Sequence, residues 1–237
     1  MELKIKANHF LSEIFQVKCG RLYINSDKTY ETKTTSIIQN DFNSIINEFK
    51  FLECILLGNA TAYVSILVGL GFNLVCIQPI FEKSIENLCL QKPQNIRGVE
   101  YSEHKKFARL AATSFHYDRY SLDQYIPRSH VEIIYSQWIT NALLGRADFV
   151  LSEANGFCSG KKKQEEGWID LIATPEGMRK KGLGAQLVAA SLYEFNRLGC
   201  TVCKVKTELG NLNGVRLYEG LGFKLVGSTL ALHWHSK

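Results

Sequence analysis

The 237-residue chain is most easily read from what it has little of. Its start, MELKIKANHFLSEIF, has no apolar leader core, which predicts a cytoplasmic protein with reduced thiols. Seven cysteines, at positions 19, 54, 76, 89, 158, 200 and 203, are an odd number and cannot all pair. Cys200-Thr-Val-Cys203 has the spacing of a metal or redox pair, but no second such pair exists. In TVCKVKTEL, a predicted strand, thiols three residues apart face opposite ways, so core cysteines and no metal are expected. Charge excess is also small: 28 Lys plus Arg against 23 Asp plus Glu leaves +5. That suits a small polyanionic ligand and falls short of a nucleic-acid partner. The one uncharged run, CILLGNATAYVSILVGLGF from Cys54 to Phe72, is broken by Gly58, Asn59, Thr61, Ser65 and Gly69. It predicts a buried strand, helix and strand in succession, and no membrane span.

What remains is an ordinary globular composition, 46% hydrophobic and 22% charged. The polar stretch Gln91–Gly98, with a proline and a glycine, marks a boundary. Residues 1–97 then form an N-terminal α/β half-domain and residues 98–237 a second domain. Before the cut, 51–58 and 72–81 read as buried strands around a helix at 60–69. After it, Glu103–Ser114 and Ser129–Leu144 read as helices, with Gly145 as a stop. Strands follow at 148–154, 156–162 and 167–173, then a helix at 182–198, a strand at 201–208, a helix at 211–221 and a strand at 223–234. The alternation predicts an α/β protein. GLGFNLV at 69–75 returns as GLGFKLV at 220–226, each copy read as a Gly-Asn-opened helix that ends on a glycine cap and turns into a strand.

The segment IATPEGMRKKGLGAQLVAA, residues 172–190 with Leu171 just before it, carries the chemistry. A strand ends at Ala173, and Arg179, Lys180, Lys181, Gly182, Leu183 and Gly184 lead into an amphipathic helix. Glycines permit close approach, and first-turn N–H groups with the helix dipole favour an anion. This is a pyrophosphate cradle. It lacks the Lys-Ser or Lys-Thr of a nucleotide-hydrolase phosphate loop and the three glycines of a dinucleotide fingerprint.

Downstream stand Asn211 and Tyr218, the latter five residues before Phe223. Arg179-x-x-Gly182-x-Gly184, then Asn211-x6-Tyr218 ending in GLGF, resembles the GNAT superfamily of acyl-CoA-dependent N-acyltransferases over about residues 100–237. The resemblance implies a GNAT fold, a mixed, mostly antiparallel twisted sheet flanked by helices, with a GNAT-like half-domain before it. It implies acyl-CoA as co-substrate, with acetyl or a longer acyl group. Its pyrophosphate would lie on Lys180–Gly184, its pantetheine along Leu171, Ile172 and Ala173, and its thioester beside Asn211 and Tyr218. Transfer needs an oxyanion donor, here an N–H of Ile172 or Ala173, and a proton for the departing thiolate, here from Tyr218. The loop Pro175–Arg179 is one residue longer than the family pattern, with Gly177 absorbing the insertion.

The span from Ser114 to Tyr120, with Tyr135–Gly145 and Asp148, is similar to the TDP-fucosamine acetyltransferase group, and SEIFQVKCGR at 12–21 extends the similarity toward the start. It implies a dTDP-linked amino-dideoxyhexose as acceptor, in O-antigen or other surface polysaccharide synthesis. Arg119, Tyr120, Tyr135, Trp138 and Asn141 are the candidate acceptor residues, offering stacking surfaces and hydrogen bonds. For the general base His116 and Asp118 are named, with His130 and Glu153 behind them. Another amine, such as an aminoglycoside or a protein N-terminus, and a non-catalytic acyl-CoA sensor stay open as alternatives. So does a homodimer.

Overall fold

Alternating short runs of apolar residues and glycine corners build one sheet. The computed structural model describes residues 2–25, 40, 42–44, 46–86, 88–91 and 93–236, so Lys92 in the predicted boundary lies outside the described residues. In chain order the elements are β1 (Glu2–Ala7), α1 (His9–Phe15), β2 (Cys19–Asn25), β3 (Phe51–Leu57), α2 (Ala62–Gly69), β4 (Asn73–Ser84) and β5 (Arg97–Gly98). They continue with α3 (His104–Ser114), α4 (Arg128–Asn141), β6 (Phe149–Glu153), β7 (Gly156–Lys163) and β8 (Glu166–Ala173). The last four are α5 (Leu183–Arg197), β9 (Val202–Lys206), α6 (Leu212–Gly220) and β10 (Lys224–His235). The predicted elements from residue 51 onward form, with ends shifted by a few residues. β1, α1, β2 and β5 were not predicted.

The ten strands share one sheet in the order β1-β2-β3-β10-β4-β9-β8-β7-β6-β5. Residues on both sides of position 97 therefore contribute to it, and the C-terminal strand lies between β3 and β4. Among the described residues only β2–β3 and β8–β9 pair in parallel. Read outward from the β10–β4 contact, the sheet repeats itself. β10–β3 and β4–β9 are antiparallel, β3–β2 and β9–β8 parallel, and β2–β1 and β8–β7 antiparallel. The strand-helix-strand units β3-α2-β4 and β9-α6-β10 are thus related by a pseudo-twofold, each sending its second strand across the other.

The repeated heptapeptide is the corner of that unit. In α2 the N–H of Phe72 donates to the Leu67 carbonyl at 2.9 Å and that of Gly71 to Val68 at 2.9 Å. In α6 the N–H of Phe223 donates to Tyr218 at 3.0 Å and that of Gly222 to Glu219 at 2.9 Å. Both glycines are left-handed, with φ of 90° and 79°, the conformation such a helix end requires. The helix starts differ. Asn211 caps α6, its Oδ1 accepting from Gly214 N–H at 3.2 Å, whereas α2 starts after Thr61 with no side-chain cap. The expected Gly-Asn opening therefore holds only for the second copy.

The predicted strand, helix and strand of the uncharged run from Cys54 form as β3, α2 and β4, with β4 starting one residue past Phe72, and among the described residues no helix is long and apolar enough to cross a membrane. Cys203 is fully buried and Cys200 nearly so, both as free thiols. One hydrophobic cluster lies under α1, α3 and α4, another around α2, β3 and β10, and a third under α5 and α6.

A left-handed residue with a Cβ costs about 1–2 kcal/mol. Gly71→Ala and Gly222→Ala are each expected to lower unfolding stability by that amount in urea titration. Equal stability of both variants with the parent would remove the corners from the fold's determinants.

Candidate active site

β8 and β9 pair from Glu166↔Val202 to Ile169↔Val205 and no further. Beyond that point the edge of β8 that faced β9 has no strand partner among the described residues. On its other edge β8 pairs Leu171 with Ser159 and Ile169 with Gly160, leaving Asp170 as an unpaired bulge residue. Such bulges re-aim a strand and its side chains. Here the bulge turns the last residues of β8 along a cleft of about 410 Å³.

Ile172 and Ala173 line one side of that cleft, and Arg179, Lys180, Gly182 and Gly184 line its end. Gly182 is the N-cap of α5 with φ of 84°, and Lys180 precedes it with φ of 59°. These left-handed residues turn the chain so that the first-turn N–H groups of α5, which lack partners within the helix, face the cleft. A Cβ at Gly184 would meet Leu217 Cδ2 at 3.3 Å, so a side chain there would crowd the cradle. Of the predicted cradle residues, Leu171 and Leu183 are buried in the core behind it, and Lys181 is exposed and not among the residues that line the cleft.

Tyr218 enters the cleft from α6, 3% exposed, its ring 6.0 Å from Phe81 and 5.8 Å from Phe223. Burial, with Cys203 and Glu208 nearby, raises its hydroxyl well above the ordinary tyrosine value, which keeps it a proton donor. Asn211 lines the cleft while its carboxamide is engaged as the α6 cap and by donation to Thr207 Oγ1 at 3.1 Å. Glu208, absent from the sequence reading, also lines it. Its Oε1 accepts from Gln78 Nε2 at 3.0 Å, and burial raises its carboxyl pKa.

A second cavity of about 260 Å³ lies on the other side of the 115–120 loop. It gathers four predicted acceptor residues, Arg119, Tyr120, Trp138 and Asn141, with Asn8, Arg21, Arg146 and Asp170, which the sequence reading missed. Asp170 opens into this cavity, and Trp138 Nε1 donates to its Oδ2 at 2.8 Å. Desolvation by the surrounding walls raises its pKa, against that hydrogen bond and the charges of Lys163 and Lys161. The predicted Tyr135 is instead a core residue, 4% exposed, stacked at 4.1 Å on Phe115 and 5.8 Å on Trp138. It reaches the cavity only by holding Trp138.

The cavity is held by one buried carboxylate. Glu53, fully buried on β3, accepts at Oε1 from Arg21 Nη2 at 2.7 Å, Arg21 Nε at 3.0 Å and Asn8 Nδ2 at 3.1 Å. Its Oε2 accepts from Arg119 Nε at 3.3 Å and Tyr120 Oη at 3.4 Å. Burial opposes the ionised form, but the two guanidiniums prevail and lower its pKa.

His116 is exposed at the rim of the first cleft. Asp118 is 4% exposed and its Oδ1 accepts from the N–H groups of Tyr120 and Ser121 at 2.8 and 3.2 Å. It therefore builds the loop turn. Among the described residues one group has metal-binding donors close together: Asp123, His233 and His235, within 4.8 Å of one another. In it His233 Nδ1 and His235 Nε2 are 2.7 and 2.8 Å from the same Asp123 oxygen. These are hydrogen-bond distances. Metal ligation through His233 Nδ1 would turn its buried, unpartnered Nε2 into an orphaned N–H donor, contrary to how ligating histidines are supported. The group ties β10 to the 120s loop.

A parallel strand pair that parts at a bulge, beneath a glycine-opened helix, is the GNAT acyltransferase fold. The acetyltransferase (GNAT) family matches residues 110–223. The spore coat polysaccharide biosynthesis protein SpsD of Bacillus subtilis is 28% identical over 144 residues, 58% of this chain and 50% of SpsD. N-alpha-acetyltransferase 30 of Xenopus laevis is 35% identical over 63 residues, 27% of this chain and 23% of that protein. The chain thus spans half or less of the length of these relatives. A GCN5-related N-acetyltransferase from Sphaerobacter thermophilus superposes with a TM-score of 0.62 at 12% identity, over 98% of this chain and 76% of that one. At that identity the likeness is one of fold.

Removing one partner of a buried ion pair costs about 3–5 kcal/mol, so Glu53→Ala is expected to lose that much in urea titration. Because the folded state lowers the Glu53 pKa below the ordinary 4.5, its contribution is complete above that value and disappears as pH falls through the lower folded one. Glu53→Gln should flatten the acid limb of the stability profile. An unchanged limb would assign acid sensitivity to other carboxyls.

Proposed function

We propose that the chain is an N-acyltransferase that moves an acyl group from acyl-CoA to the amine of a dTDP-linked amino-dideoxyhexose, for O-antigen or other surface polysaccharide synthesis. The observation that carries this reading is that two cavities lie along the bulged end of β8, one lined by Ile172 and Ala173 and the other by Asp170. The first also has Arg179, Lys180 and the glycines that open α5, and the second has arginines, a tryptophan and a recessed carboxylate. SpsD, a polysaccharide biosynthesis protein by name, supports a sugar-linked acceptor. The short match to N-alpha-acetyltransferase 30 covers too little of the chain to favour a peptide. In this reading residues 98–237 form the acyl-CoA half, and residues 1–97 form the substrate-side scaffold.

The acyl-CoA diphosphate lies on the N–H groups that open α5 with Arg179 and Lys180, and pantetheine follows the free edge of β8 past Ile172. The sugar amine comes from the Trp138 side. Asp170 takes its proton, since a carboxylate with a raised pKa is a better base and is within the acceptor cavity. The neutral nitrogen attacks the thioester carbon, and an N–H of Ile172 or Ala173 holds the oxyanion. The C–S bond then breaks, Tyr218 gives its proton to the sulfur, and the amide nitrogen sheds its second proton to solvent, from which Tyr218 is reprotonated. A buried phenol held above the ordinary tyrosine value is a weak acid toward a thiolate near 8.5, so placement carries its contribution. His116, earlier named as base, stands at the exposed rim, and Asp118 has one oxygen committed to the turn.

A thiol-release assay across dTDP-amino-dideoxysugars, aminoglycosides and N-terminal peptides tests the assignment, and activity confined to a non-sugar amine would sink it. Tyr218→Phe is expected to lower kcat about 10²-fold or more while the KM for acyl-CoA stays near that of the parent. Unchanged turnover removes Tyr218 from the acid role. For Asp170 the raised pKa places the acid limb of kcat/KM above the ordinary aspartate range, with activity lost as pH falls through it. In Asp170→Asn activity should drop and that limb vanish, whereas a persistent limb assigns it to another group.

A further inference from the structure

The acceptor cavity contains more fixed positive charge than its own carboxylates neutralise. Arg21, Arg119 and Arg146 line it, against Glu53 beneath and Asp170 in its wall. Arg21 bonds Glu53 through Nε and Nη2, and Arg119 bonds Glu53 through Nε and Tyr120 Oη through Nη2 at 2.9 Å. Among the described residues neither Nη1 group has a hydrogen-bond partner, although the Arg119 side chain is only 14% exposed. A guanidinium cannot shed its proton to escape this. Lys206 reports the same surplus from nearby on β9: burial first, then Arg119, Lys163 and Arg21, push its ammonium down to about 8.

We propose that the Nη1 groups of Arg21 and Arg119, with Arg146 at the mouth, form an anion subsite that takes the phosphates of the acceptor, and that Glu53 is the positioning residue that aims both forks. The inference rests on the nucleotide-linked acceptor proposed above. Two guanidiniums on one carboxylate leave one positive charge for a ligand, and paired N–H groups on planar forks match phosphate oxygens. Asp170 makes no hydrogen bond to either fork among the described residues, and its Oδ2 accepts instead from Trp138 Nε1. With the phosphates held there, the sugar is left beside Trp138, Asn141 and Asp170.

Inorganic pyrophosphate is the probe, titrated into the full chain with saturating coenzyme A so that the α5 cradle is already filled. The readouts are calorimetry and the fluorescence of Trp138, which lines the cavity. Saturable binding is expected, displaced by dTDP, and weakened about tenfold or more in Arg21→Gln, the loss of a charge-assisted pair. Lys105→Gln, an exposed cation on α3, should leave it unchanged. Thermal melting checks that Arg21→Gln is folded, and Arg146→Gln carries the same test should it not be. No saturable binding, no displacement by dTDP, or full affinity in folded Arg21→Gln overturns the subsite. Pyrophosphate binding that survives while every dTDP-sugar fails the thiol assay sinks the substrate reading alone.

Discussion

A single carboxylate with no solvent exposure, Glu53, sets where the walls of the acceptor cavity stand. Moving a carboxylate out of water costs several kcal/mol, and only close, well-directed partners offset it. Those partners come from three places in the chain: Asn8 before α1, Arg21 on β2, and Arg119 and Tyr120 in the loop after α3. Directly across the sheet from Glu53 is His233 on β10, whose Nδ1 meets Asp123 from the same loop. One charge and one imidazole pair thus hold the first strands, the last strand and the loop dividing the two cavities. An apolar replacement could match such a pair in stability. It could not hold two guanidiniums at fixed angles in a cavity.

The pseudo-twofold explains why the same heptapeptide occurs twice yet only one copy lies at a site. Leu67 and Tyr218 occupy the same place in the cap, each giving its carbonyl to the Phe five residues on. Leu67 is fully buried in the α2 cluster, and Tyr218 faces the cleft. The corner is a solution to turning a helix into a strand, and the two copies differ in that one points an apolar side chain into the core and the other a phenol into the cleft. Because the units exchange second strands, the first copy abuts the second, and β3 delivers Glu53 beneath the neighbouring cavity.

The sequence made legible what is local. Buried strands such as FLECILL, the stripe of α5 and the glycine corners each carry their signal within a dozen residues, and all formed where expected from residue 51 on. β1 and β2 did not stand out, because β1 is six residues with three charges and gains its register only by pairing with β2. The insertion of β10 between β3 and β4 joins residues nearly two hundred positions apart and leaves no local trace. Tyr135 illustrates the opposite error, an aromatic at helical spacing read as a ligand contact when it packs the core. Glu53 and Asp170 were missed although a cue existed. Each is a lone acid inside an otherwise apolar strand, FLECILL and WIDLIA, and a buried charge needs a partner or a purpose.

Desolvation pushes a set of groups in and beside the two cavities toward the neutral form. It raises Asp170, Glu208 and Tyr218 and lowers Lys206. For transfer from a thioester this helps twice, since the attacking amine must arrive uncharged and the acid must keep its proton until the thiolate leaves. Arginine is the one group that cannot follow, its proton being held at any accessible pH. Arg21 and Arg119 are therefore permanent charges in a place that otherwise disfavours charge, and a single carboxylate answers both. In the proposed reaction the bulge at Asp170 and the forks above Glu53 have complementary roles: the carboxylate takes the proton of the amine, and the forks retain a positive charge that an anionic acceptor can neutralise.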